Sequence, residues 1–312
     1  IRTMICVVMP GESGNFSDLI FSKFQLSKGP KVVVIGGGTG LSVMLRGLKS
    51  KTYNLTAVVT VADDGGSTGR IREDLDIIAP GDLRNCLVAM ADKEGLMEQL
   101  FAHRFGGSGD LTGHSFGNLF IAALIEVLGD VEEAMDATSK ILRVRGKVIP
   151  SSAEKIRLNA KMTDGRIIEG ESQIPHAHGR IKSVFTTPEH PKAIRSAVDA
   201  IKGADAIVLG PGSLYTSIMP NLCVPDIIEA IRDSKAPKIY ICNVMTQKGE
   251  TDDYTVSDHV KAINKQAGDK IIDFVIANNG DVDPAVLQRY VAHGSDPVII
   301  DKVVKLKQAV DL

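Results

Sequence analysis

Apolar positions along this 312-residue chain fall into short, nearly unbroken runs separated by stretches of helical spacing. Residues 32–35, 55–62, 206–209, 239–244 and 271–277 have strand length and little alternation, as expected of strands covered on both faces. Between them, residues 41–48, 83–90, 119–128, 192–202, 224–232 and 256–266 carry apolar side chains at the three- and four-residue intervals of helices packed on one side. The period changes between about 146 and 188. There residues 156–162 alternate, Asp164-Gly165 supplies a turn, and 167–174 returns, which predicts an inserted antiparallel hairpin. The pattern predicts an α/β fold with a doubly wound, Rossmann-like, mostly parallel sheet in a three-layer αβα sandwich. Residues 30–312 read as one domain carrying the small β-hairpin insertion. Residues 1–29 read as a poorly structured or expression-derived N-terminal extension with no function to argue.

Two strand runs end in glycine-dense turns, Lys31-Val-Val-Val-Ile-Gly-Gly-Gly-Thr-Gly40 and Asp205-Ala-Ile-Val-Leu-Gly-Pro-Gly-Ser213. A glycine turn between a parallel strand and a helix lets backbone N–H groups approach an anion, and the helix N-terminus adds about half a positive charge. Gly36, Gly37, Gly38, Thr39 and Gly40, with Gly210, Gly212 and Ser213, are therefore candidate phosphate contacts. The dinucleotide fingerprint needs a third small residue in G-x-G-x-x-G, and here that position is Leu41 or Val43, which argues against NAD. No Gly-Lys-Ser/Thr follows as a Walker loop requires.

Composition narrows the class. Net charge is −2 with a sequence pI near 6.4, and Lys and Arg are dispersed, so no electrostatic footprint for nucleic acid is present. The four cysteines stand far apart without a C-x-x-C pair, which fits a reducing cytoplasm and argues against a zinc framework. The apolar run at 5–9 is too short to cross a membrane, so no membrane insertion is expected.

Candidate chemistry clusters at the predicted strand ends. Asp63 and Asp64 follow the second apolar run, where a doubly wound fold meets a ribose, or where Mg²⁺ is held through one or two carboxylates plus substrate phosphates. Asp82 and Ser115 are placed to cap helices, and Asn118 offers an amide at a third helix N-terminus. Tyr215 belongs to a hydroxyl-rich stretch after the second glycine loop. Asn243 stands at a strand end, and Arg289 and Tyr290 are placed to close over a base or sugar. Arg72 is expected to pair with surface acids, and His176 and His178 to share one strand face as a weak metal signal. No nucleophile and base can be named, so a nucleotide-sugar binder without turnover competes with a Mg²⁺-dependent transferase.

Together, Ile35-Gly-Gly-Gly-Thr-Gly-Leu41, Ala62-Asp-Asp-Gly-Gly-Ser-Thr-Gly69, Pro80-Gly-Asp-Leu-Arg-Asn85, Gly113-His-Ser-Phe-Gly-Asn-Leu119 and Leu209-Gly-Pro-Gly-Ser-Leu-Tyr-Thr-Ser217 resemble the bacterial gluconeogenesis-factor (YvcK-like) family. The resemblance runs from about Lys31 to the end. That family is similar, more distantly, to the 2-phospho-L-lactate transferases (CofD-like), which join a nucleotide-activated phospholactate to a deazaflavin using Mg²⁺. The resemblance implies a cytoplasmic protein that binds UDP-sugars such as UDP-N-acetylglucosamine and is needed for cell shape and wall growth on gluconeogenic carbon sources. It implies partners among cell-wall synthesis or shape proteins, leaves a homo-oligomer open, and attaches no reaction. It places Gly36 to Gly40, Asp63, Asp64, Asn118, Gly210, Gly212 and Ser213 along a nucleotide cleft, with the transferase's metal carboxylate in the Asp63-Asp64 pair. No deazaflavin pocket is recognisable, so no flavin is expected.

Overall fold

The computed structural model describes residues 24–92 and 95–301. Six parallel strands form the central sheet in the order β3-β2-β1-β7-β8-β9: Lys147–Pro150, Leu55–Val59, Val32–Gly36, Ala206–Leu209, Lys238–Ile241 and Phe274–Ile276. Setting the inserted strands aside, this is the 3-2-1-4-5-6 order of a doubly wound fold. The direction of winding reverses between β1 and β7, and a crevice opens there beyond the carboxyl ends of the strands.

Strand β1 lies between β2 and β7, with Val32 in register with both Leu55 and Ala206. Val33, Val34 and Ile35 are all buried, because helices cover both faces of the sheet, and this is why the run is continuous rather than alternating. Helix α1 (Gly38–Leu48) follows β1 at once, with Leu41 and Leu45 in the core. Helices α2 (Gly66–Asp74), α3 (Gly81–Met90), α4 (Gly95–Ala102), α5 (Phe116–Leu128) and α6 (Val131–Ile141) fill the passage from β2 to β3. In α5, Ser115 accepts the Asn118 amide at the start, and Gly129 ends the helix in the left-handed region at φ 69°.

The insertion is larger than a hairpin. It is a three-stranded antiparallel sheet in the order β5-β4-β6, made of Ile167–Glu169, Arg157–Met162 and Ile181–Thr187, with a 3₁₀ turn at Glu171–His176. Residues 147–150, at the start of the stretch expected to be the hairpin, instead form β3 on the edge of the main sheet. His176 ends the 3₁₀ turn and His178 lies beyond it at φ 45°, so they share no strand face.

The second half contributes α7 (Arg195–Lys202), a π-turn (Leu214–Ile218) running into the short α8 (Met219–Leu222), α9 (Pro225–Asp233), α10 (Val256–Ala267) and α11 (Pro284–Ala292). Residues 1–23, most of the expected extension, lie outside the described residues. Residues 24–29 are not loose: Asn54 Nδ2 donates to the Ser27 and Gly29 carbonyls, and Tyr53 N–H to Leu26. Among the described residues no helix is long and apolar enough to cross a membrane.

Candidate functional site at the sheet edge

Both glycine loops sit at the switch point and pack against each other. A β-carbon at Gly40 would lie 3.0 Å from the Pro211 carbonyl oxygen, and one at Gly212 would lie 3.1 Å from the Gly37 carbonyl oxygen. Asn221, fully buried, donates to Gly36 O at 3.2 Å and to Ser217 O at 2.9 Å, while Asn243 donates to Gly212 O at 2.9 Å. The glycines thus serve loop-to-loop packing first. Gly38 and Gly210 additionally adopt positive φ, 72° and 81°, where a side chain would strain the backbone.

What this leaves open is backbone. No side chain of its own loop caps α1, whose first-turn N–H groups lack intrahelical partners; Thr39 is exposed, and Gly38, Gly40, Gly212 and Ser213 are half-buried. The Asp82 carboxylate takes the Gly38 N–H and is therefore a brace for the loop, with Pro80 standing at the N-cap of α3. Helix-start amides converging on a crevice are suited to phosphate oxygens.

Five carboxyl groups gather beneath these loops. Asp63 Oδ1 accepts the Gly65 amide at 2.9 Å, and burial raises the Asp63 pKa against those hydrogen bonds. Asp64 points elsewhere: its two oxygens accept Glu171 N at 3.0 Å and Ser172 N at 2.8 Å, holding the start of the 3₁₀ turn. That clamp carries Glu171 to the site. Burial, with Asp63 the next contributor, pushes Glu171 up to about 8. Burial and the Asp63 charge also push Asp82 up to about 6. Glu250, buried, accepts Tyr215 N at 3.3 Å, the Thr216 hydroxyl at 3.0 Å and Gln247 Nε2 at 2.7 Å, and burial raises it to about 7.

A group this crowded invites a cation, yet among the described residues no three His, Cys, Asp or Glu side chains are disposed to hold a metal ion. Both Asp64 oxygens accept backbone amides and Asp63 accepts the Gly65 amide and a Thr68 hydrogen bond, so Mg²⁺ would be held here by their remaining lone pairs together with ligand phosphates. Asn118, almost fully buried, donates to Thr68 Oγ1 at 3.5 Å, and Thr68 in turn hydrogen-bonds Asp63. Asn118 therefore stands on the Asp63 side of the crevice, with its own carbonyl oxygen unpartnered.

Tyr215 is buried, its hydroxyl 2.7 Å from that of Tyr254. Arg289 and Tyr290 lie exposed on α11, where Arg289 hydrogen-bonds within its own helix. Arg72 is buried and donates to the Ile156 carbonyl, so it ties α2 to the insertion instead of meeting surface acids. Past Asn243, Val244, Asn278, Asn279 and Leu287 line a cleft of about 750 Å³ beyond the ends of β8 and β9.

A family model described as "2-phospho-L-lactate transferase CofD" matches residues 32–311. The chain belongs to the CofD family. Within it, a protein of Bacillus subtilis named "Gluconeogenesis factor" is 52% identical over 272 residues, covering 87% of this chain and 86% of that one. A Halalkalibacterium halodurans protein of the same name is 53% identical over 275 residues, covering 88% and 85%. A Nostoc relative is 51% identical over 297 residues, and the present chain spans only 65% of its length. A crystal structure of a Bacillus halodurans protein superimposes with a TM-score of 0.86 at 52% identity, covering 88% of each chain.

Three groups of this CofD-family site are not evident as such in the chain. Glu171 and Glu250 lie far along the sequence, in segments without glycine loops, and only the Asp64 clamp and the Glu250 brace on the π-turn bring them in. Asp82 resembles an ordinary helix cap, and its reach to Gly38 depends on how α3 packs against α1.

Proposed function

We propose that the crevice between the two glycine loops binds the diphosphate of a UDP-sugar of the UDP-N-acetylglucosamine type, and that binding rather than turnover is the protein's output. The observation that carries this reading is the pair of abutting, backbone-lined loops at the switch point, with the α1 N-terminus uncapped by any side chain of its own loop. Backbone amides recognise phosphate oxygens without a permanent cation. Asp63 is assigned to a ribose or sugar hydroxyl, and the cleft beyond Asn243 offers apolar walls and two amides to the uridine or sugar end. Relatives named gluconeogenesis factor support a role in growth on gluconeogenic carbon. A cytoplasmic location, and action through proteins of wall synthesis or cell shape, go with that role.

The runner-up is transfer of a nucleotide-activated phospho-acid. It is favoured by the crowding of Asp63, Asp82, Glu171 and Glu250, which a Mg²⁺ ion carried in on a diphosphate relieves. Calorimetric titration of UDP-N-acetylglucosamine, UDP-glucose and GDP, each with Mg²⁺ and with chelator, separates the two. The first reading expects metal-indifferent UDP-sugar binding without product, lost in Asp63→Ala with the fold intact. Unchanged affinity in that variant removes the assignment of Asp63, and Mg²⁺-dependent GDP binding with turnover selects the transferase.

A further inference from the structure

Three arginines converge on the residues just before α5, and each is held there by neutral groups. Arg70 Nη2 donates to the Thr112 carbonyl at 2.7 Å, Arg104 Nη1 to the Gly113 carbonyl at 3.0 Å, and Arg84 to Ser115 Oγ and, at 2.6 Å, to Asn85 Oδ1. Among the described residues none of the three has a carboxylate within ion-pair distance. Arg70 and Arg104 are exposed, but Arg84 retains only 8% of its surface. Burying a guanidinium without an ionic partner is costly. Among charged groups Arg104 acts most strongly on Arg84, and it adds to that cost ahead of the opposing Asp82 and Asp63.

The surroundings supply further donors, with Asp82, Asp63 and Asp74 acting on the cluster only from beyond ion-pair distance. Ser67, in the first turn of α2, places its hydroxyl 3.2 Å from His114 Nδ1 and 3.4 Å from Ser115 N–H. The N-termini of α2, with 9 residues, and α5, with 13, therefore meet at this point. Two helix starts, a buried fork and two exposed forks outnumber what a carboxylate can accept, whereas a phosphoryl group presents three oxygens and up to two charges.

We infer that this arginine cluster is a second anion subsite, which takes the phosphoryl group of a small phosphorylated molecule or free phosphate, with Arg84 as its central contact. It is distinct from the glycine-loop crevice and joined to it through Asn118, Thr68 and Asp63. Only the word second rests on the UDP-sugar reading. A protein so built holds two anionic groups on either side of Asp63, one on backbone amides and one on guanidinium forks.

The test is calorimetry with inorganic phosphate and with glycerol 3-phosphate, at ionic strength fixed with chloride and with acetate as the carboxylate control. It is run on the wild type, Arg84→Gln and Arg84→Lys, with and without saturating UDP-N-acetylglucosamine. The expected result is one phosphate per chain, not displaced by the UDP-sugar, weakened about tenfold or more in Arg84→Gln and less in Arg84→Lys. Tighter binding of glycerol 3-phosphate assigns the subsite to a phosphorylated metabolite, and tighter binding of phosphate assigns it to the free ion. Absence of phosphate binding, equal binding in Arg84→Gln, equal affinity for acetate, or displacement by UDP-N-acetylglucosamine overturns the inference. If UDP-N-acetylglucosamine does not bind while Arg84-dependent phosphate binding persists, the UDP-sugar reading falls and the subsite stands. Should circular dichroism find Arg84→Gln unfolded, the exposed pair Arg70→Gln/Arg104→Gln carries the test, and undiminished phosphate affinity in that variant overturns the inference.

Discussion

Asp63 and Asp64 are neighbours in sequence with separate duties, because the chain has left β2 before it reaches them. Asp63 stays with Gly65, Thr68 and the crevice, whereas both Asp64 oxygens hold the insertion. Gly37 is the tightest of the first-loop glycines: a β-carbon there would lie 2.5 Å from Asp82 Oδ2 and 2.6 Å from Thr60 Cγ2. Gly37→Ala therefore forces Asp82 away from the Gly38 amide and is expected to cost about 1–3 kcal/mol, as overpacking does. A urea midpoint equal to that of the wild type contradicts this. That these glycines form a loop is legible in the sequence. That Gly40 and Gly212 are small so that the loops can touch each other is not, since it depends on residues some 170 positions apart meeting across β1 and β7.

Elements buried on both faces are the legible ones. Strands β1 and β7 follow their apolar runs closely, and α10 is announced by Thr255 and Asp258, which form a capping box, and by Gly268 at its end. Helix α2 is not announced, because Gly66-Ser67-Thr68-Gly69 has the composition of a turn and is helical only where Ile71 and Arg72 find the core and the insertion. Strand β6 is hidden by the irregularity opposite Lys161 and Met162, which shifts the pairing so that Ile181, Val184 and Thr186 are the buried positions and the alternation breaks. The 3₁₀ turn depends on Asp64. Asp64→Ala is expected to speed hydrogen exchange at Glu171 and Ser172 while leaving the β1 amides unchanged, and unaltered exchange at both turn amides refutes the clamp.

Across the whole molecule, raised carboxyls set a pH dependence, led by three. Glu171 moves from 4.5 to about 8, Glu250 from 4.5 to about 7 and Asp82 from 3.8 to about 6, each led by burial. Because the folded chain holds these protons more tightly than the unfolded one, their effect favours folding at low pH and is lost as pH rises through the folded values. The ligand-free protein is expected to lose stability between about pH 5 and pH 8 from these groups. Glu171→Gln flattens the upper part of that window in a series of thermal melts, and an undiminished slope there removes Glu171 from the account. The doubly wound architecture is legible from the order of the runs, and with it the edge where a ligand belongs. The converging arginines, and the approach of Glu171 and Glu250 to Asp63, are not, because they come from helices, an insertion and distant loops that only the folded sheet edge assembles. The most direct measurement of the central claim is a hydrogen-exchange map with and without UDP-N-acetylglucosamine. The account predicts new protection at the amides of residues 39–40 and 212–213 together; binding that leaves both loops unprotected contradicts it.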